Sequence, residues 1–404
     1  MHDIRTRPID QPTYRARPGE SWRPERCDRV ALVLQGGGAL GAYQAGVFEA
    51  LHEANVEPDW VIGTSIGAIN AAIIAGNPHE SRLAKLHEFW SRVEQRAGND
   101  FLRFWSSVTN LGANFTTVSQ GIPCFFTPHL PAWLGLHVPL GVEAAAYYTT
   151  SPLASTLSDL VDLASIKRGK VRLTVGAVNV RNGEMRYFDS RDEPIAIEHV
   201  LASGALPPAF PAIRVDGDPY WDGGIYSNTP IEAVLDDNPR KDSVIFNVQL
   251  WNPEGPVPET LWQVMGRQKD IQYASRSKSH IARQKQIHHL RHVIRELYKH
   301  VPEKLRNSPE VRELNGWGCG TTMHVVRLLS PGVEGEDHTK DIDFTPAGIR
   351  SRWQAGYSDT RRMLRAAPWR KPVGAVEGIV IHQDPSRPEP RLARGIDGFS
   401  GRTR

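Results

Sequence analysis

A serine flanked by glycines is the residue of this sequence best suited to covalent chemistry. Ser65 stands at the centre of Gly63-Thr64-Ser65-Ile66-Gly67, which follows an apolar run at 60–62 and precedes a stretch of small residues. A strand, a sharp turn and a helix in that order form a nucleophile elbow. The elbow lifts the serine hydroxyl off the sheet edge, at the positive end of a helix. The pattern predicts a nucleophile, with an ordinary turn as the alternative. Gly63 and Gly67 support the motif because a Cβ at either would meet neighbouring backbone.

A glycine-rich segment precedes the elbow and could supply hydrogen-bond donors to the same reaction. Gly36-Gly37-Gly38-Ala39-Leu40-Gly41 follows the apolar run 30–34. Attack on an ester creates an oxyanion, which unpaired backbone N–H groups at a helix start stabilise. We expect the donors among Gly36, Gly37 and Gly38, with Gly37 and Gly38 favoured. The N–H of Ile66 is a further candidate donor, and Gly41 belongs to the supporting motif.

The same segment fits the dinucleotide fingerprint Gly-x-Gly-x-x-Gly. That fingerprint requires an acidic residue at the end of the second strand, where it binds a ribose. Here the second strand ends in Gly63-Thr64-Ser65 instead. The sequence therefore favours an oxyanion loop, and we expect no organic cofactor.

An aspartate followed by two glycines is the third element. Asp222 precedes Gly223 and Gly224, in a turn whose composition alone carries little information. Asp222 and Ser65 are far apart in the chain, so spacing does not bring them together. As an isolated feature, Asp222 would be interpreted as a loop residue.

Taken together, these elements resemble the patatin-like phospholipase family. The glycine-rich loop, the elbow and the Asp-Gly-Gly motif occur in the family's order, and residues 202–211 resemble the segment that precedes the aspartate motif. The resemblance covers about residues 29–230 and departs at Gln35, where plant members often carry Asp-Gly. It implies that Ser65 is the nucleophile and Asp222 its general base, in a dyad that needs no histidine or metal. His199, the nearest candidate for a third member, is interpreted as a packed or capping residue.

The elements that would position these residues indicate an α/β fold: a mainly parallel sheet with helices on both faces and a helical C-terminal extension. Apolar runs bounded by turns predict the strands, and three- to four-residue periodicity predicts the helices. The predicted strands are 30–34, 60–62, 171–178, 185–188, 244–248 and 324–328. The predicted helices are 39–54, 66–75, 261–306 and 346–364. Along the third helix, Ile287, Leu290, Ile294, Leu297 and Val301 mark an apolar face.

Composition shifts divide the chain into four regions. We expect a disordered arm at 1–28, a catalytic domain at 29–250, a mostly helical extension at 251–367 and a flexible tail at 368–404. Residues 98–150 form an aromatic-rich insertion, which could be core or could line a channel for an acyl chain.

Charge and cysteine content limit the partners. The net charge of +3 over 404 residues argues against a nucleic-acid binder, and the three dispersed cysteines fit a reducing compartment. Residues 1–28 lack the apolar core of a signal peptide, so we expect a cytoplasmic protein. The basic region 267–306 is either a solvated helix face or a contact with an anionic membrane surface. Its four histidines lack a third ligand at fitting spacing, and we expect no metal site.

These observations predict a lipid acyl hydrolase of the phospholipase A type. Two alternatives stay open: a thioesterase or storage-polyester hydrolase with the same chemistry, and a non-catalytic lipid-binding protein.

Overall fold

The computed structural model describes residues 22, 24, 26–94, 122, 124–129, 139–332 and 338–384, with backbone alone at 275 and 276. Most of the predicted arm, most of the aromatic insertion and the end of the predicted tail lie outside these residues. Within the predicted arm, Trp22 packs against the core, and its carbonyl accepts a hydrogen bond from the Trp369 indole at 2.9 Å.

One nine-stranded sheet organises the described chain. Its strands are β1 (Arg29–Leu34), β2 (Trp60–Gly63), β5 (Arg172–Asn179), β6 (Met185–Asp189), β7 (Ile213–Val215), β8 (Asp218–Asp222), β9 (Ser243–Gln249), β10 (Met323–Leu329) and β11 (Ile379–His382). The order is β11-β10-β9-β1-β2-β5-β8-β7, with β6 also paired to β5. The six strands from β11 to β5 are parallel, and β6, β7 and β8 are antiparallel additions at one end. A separate short pair joins β3 (Thr127–Pro128) to β4 (Tyr148–Thr149).

Helices cover both faces of this sheet. They are α1 (Ala42–Glu53), α2 (Ile66–Ala75), α3 (His79–Val93), α4 (Ser151–Leu160), α5 (Leu163–Lys167), α6 (Ile197–Ser203), α7 (Glu232–Leu235), α8 (Leu261–Lys299), α9 (Glu303–Arg306), α10 (Pro309–Gly316) and α11 (Pro346–Ala366). Alternate residues of β1 point into two cores: Leu32 and Leu34 pack with α1 and α2, whereas Ala31 and Val33 pack with α7 and Ile281 of α8. Burial on both faces explains the unbroken apolar run of β1.

The C-terminal part of the chain is built into the same fold. β10 and β11 extend the sheet beyond β9, and α11 packs against α1. The two helices approach closely at glycines, since a Cβ on Gly46 would lie 1.9 Å from the Trp353 carbonyl oxygen and one on Gly356 would lie 2.0 Å from that of Tyr43. The tail predicted to begin at 368 is corrected accordingly: strand β11 lies within it, paired in parallel with β10.

The buried face of α8 differs from the predicted one. Leu290 and Leu297 are 62% and 61% exposed. Among the side chains of this helix that the structure describes, the buried ones are Ala274, Ser277, Ile281, Gln284, His288 and His292. Polar members of this face find partners: Gln284 donates to Asp236, and the ring nitrogens of His292 lie 3.1 and 2.9 Å from two carbonyl oxygens. Apolar periodicity therefore pointed to the wrong face, because hydrogen bonding made a polar face suitable for burial.

Part of the aromatic insertion belongs to the core. Phe125 and Phe126 pack edge-on against each other and against Phe210, with Phe89 and Phe344 beside Phe125. Among the helices of the described residues, none is both long enough and apolar enough to cross a bilayer.

Candidate active site

The turn after β2 holds Ser65 in a conformation that non-glycine residues rarely adopt. Its φ and ψ are 57° and −127°, and α2 begins at the next residue. Such a backbone costs on the order of 1–3 kcal/mol and persists only where surrounding structure enforces it. The Ser65 N–H donates to both the carbonyl and the hydroxyl oxygen of Ser203, each at 3.1 Å. Ser203 in turn donates to the Gly176 carbonyl of β5 at 2.6 Å, so α6 and β5 enforce the turn.

The glycines on either side of Ser65 permit this geometry. A Cβ on Gly63 would lie 2.2 Å from the Gly67 carbonyl oxygen, and one on Gly67 would lie 2.2 Å from that of Leu34. Gly41 is similarly confined, with Ile66 Cγ1 2.5 Å from the Cβ position. The backbone segments around these glycines approach one another too closely to leave room for side chains.

Asp222 is the last residue of β8, and its side chain reaches the same place as Ser65. Its carboxyl accepts a hydrogen bond from the Gly224 N–H at 2.7 Å and interacts with the Ser65 hydroxyl. A Cβ on Gly224 would lie 3.0 Å from the carboxyl oxygen, and one on Gly223 would lie 2.5 Å from the Gly176 carbonyl oxygen. The two residues that the sequence leaves far apart are therefore neighbours.

The environment of Asp222 favours its neutral form. The residue is 1% exposed, and burial raises the pKa of its carboxyl to about 7, against the lowering effect of its bonds to Ser65 and Gly224. A carboxyl with a pKa near neutrality can take up and return a proton at physiological pH.

The glycine-rich loop lies against Ser65. A Cβ on Gly36 would lie 3.0 Å from Ser65 Cβ. The Gly36 N–H donates to the Asn228 carbonyl at 3.1 Å, so it is not available to a ligand in this conformation. Within the described residues, the N–H groups of Gly37, Gly38 and Ile66 donate to no backbone acceptor. Three of the four predicted donors thus have no backbone partner in the described part of the chain.

His199 has the structural role expected of it. It is 7% exposed, its Nδ1 accepts the Ala196 N–H at 2.8 Å, and its ring lies 4.5 Å from that of Phe188. The packing and capping interpretation is confirmed.

Comparison with known proteins identifies the family. Residues 32–235 match the family model described as patatin-like phospholipase, and 271–375 match a second one described as patatin phospholipase. The first match alone spans half of the 404 residues. The chain belongs to the patatin-like phospholipase family. The second match lies in the C-terminal region, so α11, β10 and most of α8 are shared with other patatin-like proteins.

Two patatin-like relatives are similar to this chain over short segments. Lysophospholipase nte1 of Aspergillus terreus is 40% identical over 94 residues, 22% of this chain and 6% of that protein. Patatin-like phospholipase domain-containing protein 6 of Homo sapiens is 44% identical over 63 residues, 16% of this chain and 5% of that protein. The aligned part thus spans about a twentieth of these relatives' length. The crystal structure of VipD from Legionella pneumophila covers 84% of this chain and 67% of its own, with 16% identity and a TM-score of 0.35. That likeness is too distant to support an argument about function.

Three side chains that were not predicted as site residues hold the glycine-rich loop in place. The Gly36 carbonyl accepts two hydrogen bonds, one from the Asn228 side chain at 3.1 Å and one from the Trp251 indole at 2.8 Å. Gln35 is fully buried; it accepts from the N–H groups of Leu250 and Trp251 and donates to Thr229 and to the Tyr273 carbonyl of α8. Asn228 follows the aspartate motif by four positions, the one sequence signal that could have drawn attention to it.

Proposed function

We propose that this chain hydrolyses acyl esters of lipids, with Ser65 as nucleophile and Asp222 as general base. One observation supports the proposal above all: a buried carboxyl with a raised pKa interacts with a strained serine that lies against the glycine-rich loop. Burying an acid and straining a turn both oppose folding, and their coincidence at one point is typical of an active site.

The proposed reaction has two halves. Ser65 Oγ attacks the ester carbonyl while its proton passes to Asp222, and the N–H groups of Gly37, Gly38 and Ile66 stabilise the oxyanion. The carbon–oxygen bond to the alcohol then breaks, and the alcohol leaves with the proton from Asp222. Water next attacks the acyl-serine, Asp222 takes its proton, and Ser65 recovers that proton as the fatty acid departs. The dyad returns to its starting state.

A fluorophosphonate probe and a short-chain nitrophenyl ester test this proposal together. Wild type should label at Ser65 and release nitrophenol. Ser65→Ala should abolish labelling, and Asp222→Asn should lower turnover by about 10³-fold or more while leaving the protein folded by circular dichroism. Ser158→Ala, at an exposed serine of α4, is the matched control and should label normally.

A Ser65→Ala variant that still labels would contradict the assignment of the nucleophile, and full activity of Asp222→Asn would contradict the base. Phospholipid, acyl thioester and hydroxyalkanoate oligomer are then compared as substrates. Preference for either of the last two would replace the phospholipid assignment with the corresponding alternative.

We further propose that the enzyme meets its substrate at a membrane surface through α8. Between residues 261 and 299 this helix carries nine Lys and Arg but only two Asp and Glu. Its first turn exposes four apolar side chains: Leu261 and Trp262 are 76% and 54% exposed, and Val264 and Met265 are also exposed. The polar residue among them, Gln263, folds back on the helix start, where its side-chain oxygen accepts from the N–H groups of Glu259 and Thr260. Four exposed apolar side chains at the end of a basic helix suit insertion among the lipids of an anionic membrane surface. Tyr273, whose carbonyl binds Gln35, lies about 16 Å along the helix from Trp262.

Vesicle sedimentation tests this contact independently of the chemistry. Leu261→Ser with Met265→Ser should weaken binding to phosphatidylcholine–phosphatidylglycerol vesicles by about tenfold or more, because each exposed apolar side chain contributes about 1–2 kcal/mol on insertion. Hydrolysis of the soluble ester should not change. Leu290→Ser with Leu297→Ser, at the other end of α8, is the matched control. Loss of binding in the control but not in the first variant would contradict the proposed contact.

A further inference from the structure

Two histidines and a glutamate converge on one point at the end of the sheet opposite the active site. His52 is in the last turn of α1, Glu57 in the loop that leads to β2, and His79 is the first residue of α3. The Nδ1 atoms of both imidazoles lie 3.0 Å from the same carboxyl oxygen, Glu57 Oε1. We call these three residues the His–Glu cluster. The spacing of these residues along the sequence matches no known metal-binding motif, because only the fold brings them together.

The cluster has the ligand types and spacing of a transition-metal site. Its three potential ligand atoms all lie within 4.8 Å of one another. In a tetrahedral zinc site with bonds of 2.0–2.1 Å, ligand atoms are about 3.3 Å apart. The observed 3.0 Å differs from this by a few tenths of an ångström, within the reach of side-chain rotation. Two imidazoles and a carboxylate are a ligand set that zinc uses with water as a fourth ligand.

The surroundings orient the carboxylate and leave access for an ion. Arg82 donates to the other carboxyl oxygen, Glu57 Oε2, at 2.6 Å and to the Asn77 carbonyl at 3.1 Å. This directs Oε1 towards the two imidazoles, as outer-shell partners do around metal ligands. The His79 side chain is 44% exposed, so water and ions reach the cluster. The positive charge of Arg82 opposes a cation, and we expect micromolar rather than nanomolar affinity.

We propose that the His–Glu cluster binds Zn²⁺ or a similar divalent transition metal through His52 Nδ1, Glu57 Oε1 and His79 Nδ1, with water completing the coordination. The metal would join the end of α1, the start of β2 and the start of α3. The glycine-rich loop and Ser65 lie at the opposite ends of α1 and β2, about 18 Å away along the 12 residues of α1. The site would therefore stabilise the fold without touching the reacting ester.

Metal binding is measured on the full chain, stripped with chelator and titrated with Zn²⁺. We expect a rise of about 2 °C or more in the midpoint of thermal unfolding, since ligands of the native state stabilise it. His79→Ala, at a half-exposed position, and Glu57→Gln should abolish this rise. His87→Ala is the matched control, about 12 Å further along α3 and outside the cluster, and should preserve it. Mg²⁺, which imidazole ligands do not suit, should produce no rise.

Stoichiometry and activity complete the test. A zinc-sensitive dye should report about one equivalent of Zn²⁺ fewer on His79→Ala than on His87→Ala. Hydrolysis of the soluble ester should be the same with metal and with chelator. The proposal is overturned if wild type shows no thermal shift with Zn²⁺, or if His79→Ala retains both the shift and the full number of bound ions. Neither result would contradict the proposed hydrolase activity, because labelling of Ser65 tests that activity in a separate experiment.

Discussion

At the scale of single residues, the burial of Asp222 determines how the proposed reaction depends on pH. A base must be ionised to accept the Ser65 proton, and burial raises the pKa of this carboxyl to about 7. We therefore predict that kcat/KM for a soluble ester rises through pH 7, and falls about tenfold for each pH unit below it. A pH–rate profile of the free enzyme measures this directly. A midpoint near 4, the ordinary range of an aspartate, would show that another arrangement of charges surrounds the base.

The same burial opposes folding. The Asp222 pKa is about 7 in the native state, against 3.8 for an ordinary aspartate, so native protein holds a proton that unfolded protein releases between these pH values. The contribution of this bound proton to the free energy of unfolding is complete below pH 3.8. It is lost as the pH rises to about 7. We predict that Asp222→Asn raises the free energy of unfolding, by on the order of 2 kcal/mol more at pH 8 than at pH 5. Urea unfolding at the two pH values measures the difference; an equal effect at both would contradict it.

At the scale of elements, apolar runs predicted β1, β2, β5, β9 and β10 well, because strands buried on both faces admit few polar residues. β7 and β8 were missed, being short antiparallel additions. The residues of the elbow and the glycine-rich loop could be found from sequence because the chain crosses itself there and tolerates no Cβ. The roles of Asn228 and Gln35 could not be predicted from sequence, since they depend on which distant backbone groups the fold brings to these side chains.

Gln35 links four elements around the proposed oxyanion loop. Its side chain joins the end of β1 to the segment after β9, to Thr229 and to α8. Gln35→Ala leaves several buried polar groups unpaired, each costing about 1–3 kcal/mol. We predict a loss of about 2–5 kcal/mol in unfolding free energy and a fall in kcat larger than any rise in KM, because the loop loses its position. Gln286→Ala, on the exposed side of α8, should change neither quantity.

At the scale of the whole molecule, the sheet extends across the predicted boundary between the catalytic domain and its extension. β9 lies between β1 and β10, so strands from both predicted regions flank it. The buried face of α1 is completed by α11, more than 300 positions later in the chain. A fragment that ended at residue 250 would expose this face and the edge of β9. We propose that the two regions fold as one cooperative unit.

A pair of glycine substitutions tests this cooperativity. Gly356→Ala places a Cβ 2.0 Å from the Tyr43 carbonyl oxygen, so α11 must move away from α1. Gly316→Ala, also helical, has no heavy atom within 4 Å of the new Cβ. We predict that Gly356→Ala lowers the unfolding free energy by about 2 kcal/mol or more, whereas Gly316→Ala leaves it equal or slightly raised. Urea unfolding is followed by tryptophan fluorescence and by loss of esterase activity. If the two regions are one unit, both signals in Gly356→Ala shift together to lower urea. Two separated transitions, with activity surviving the first, would show that residues 29–250 fold independently of α11.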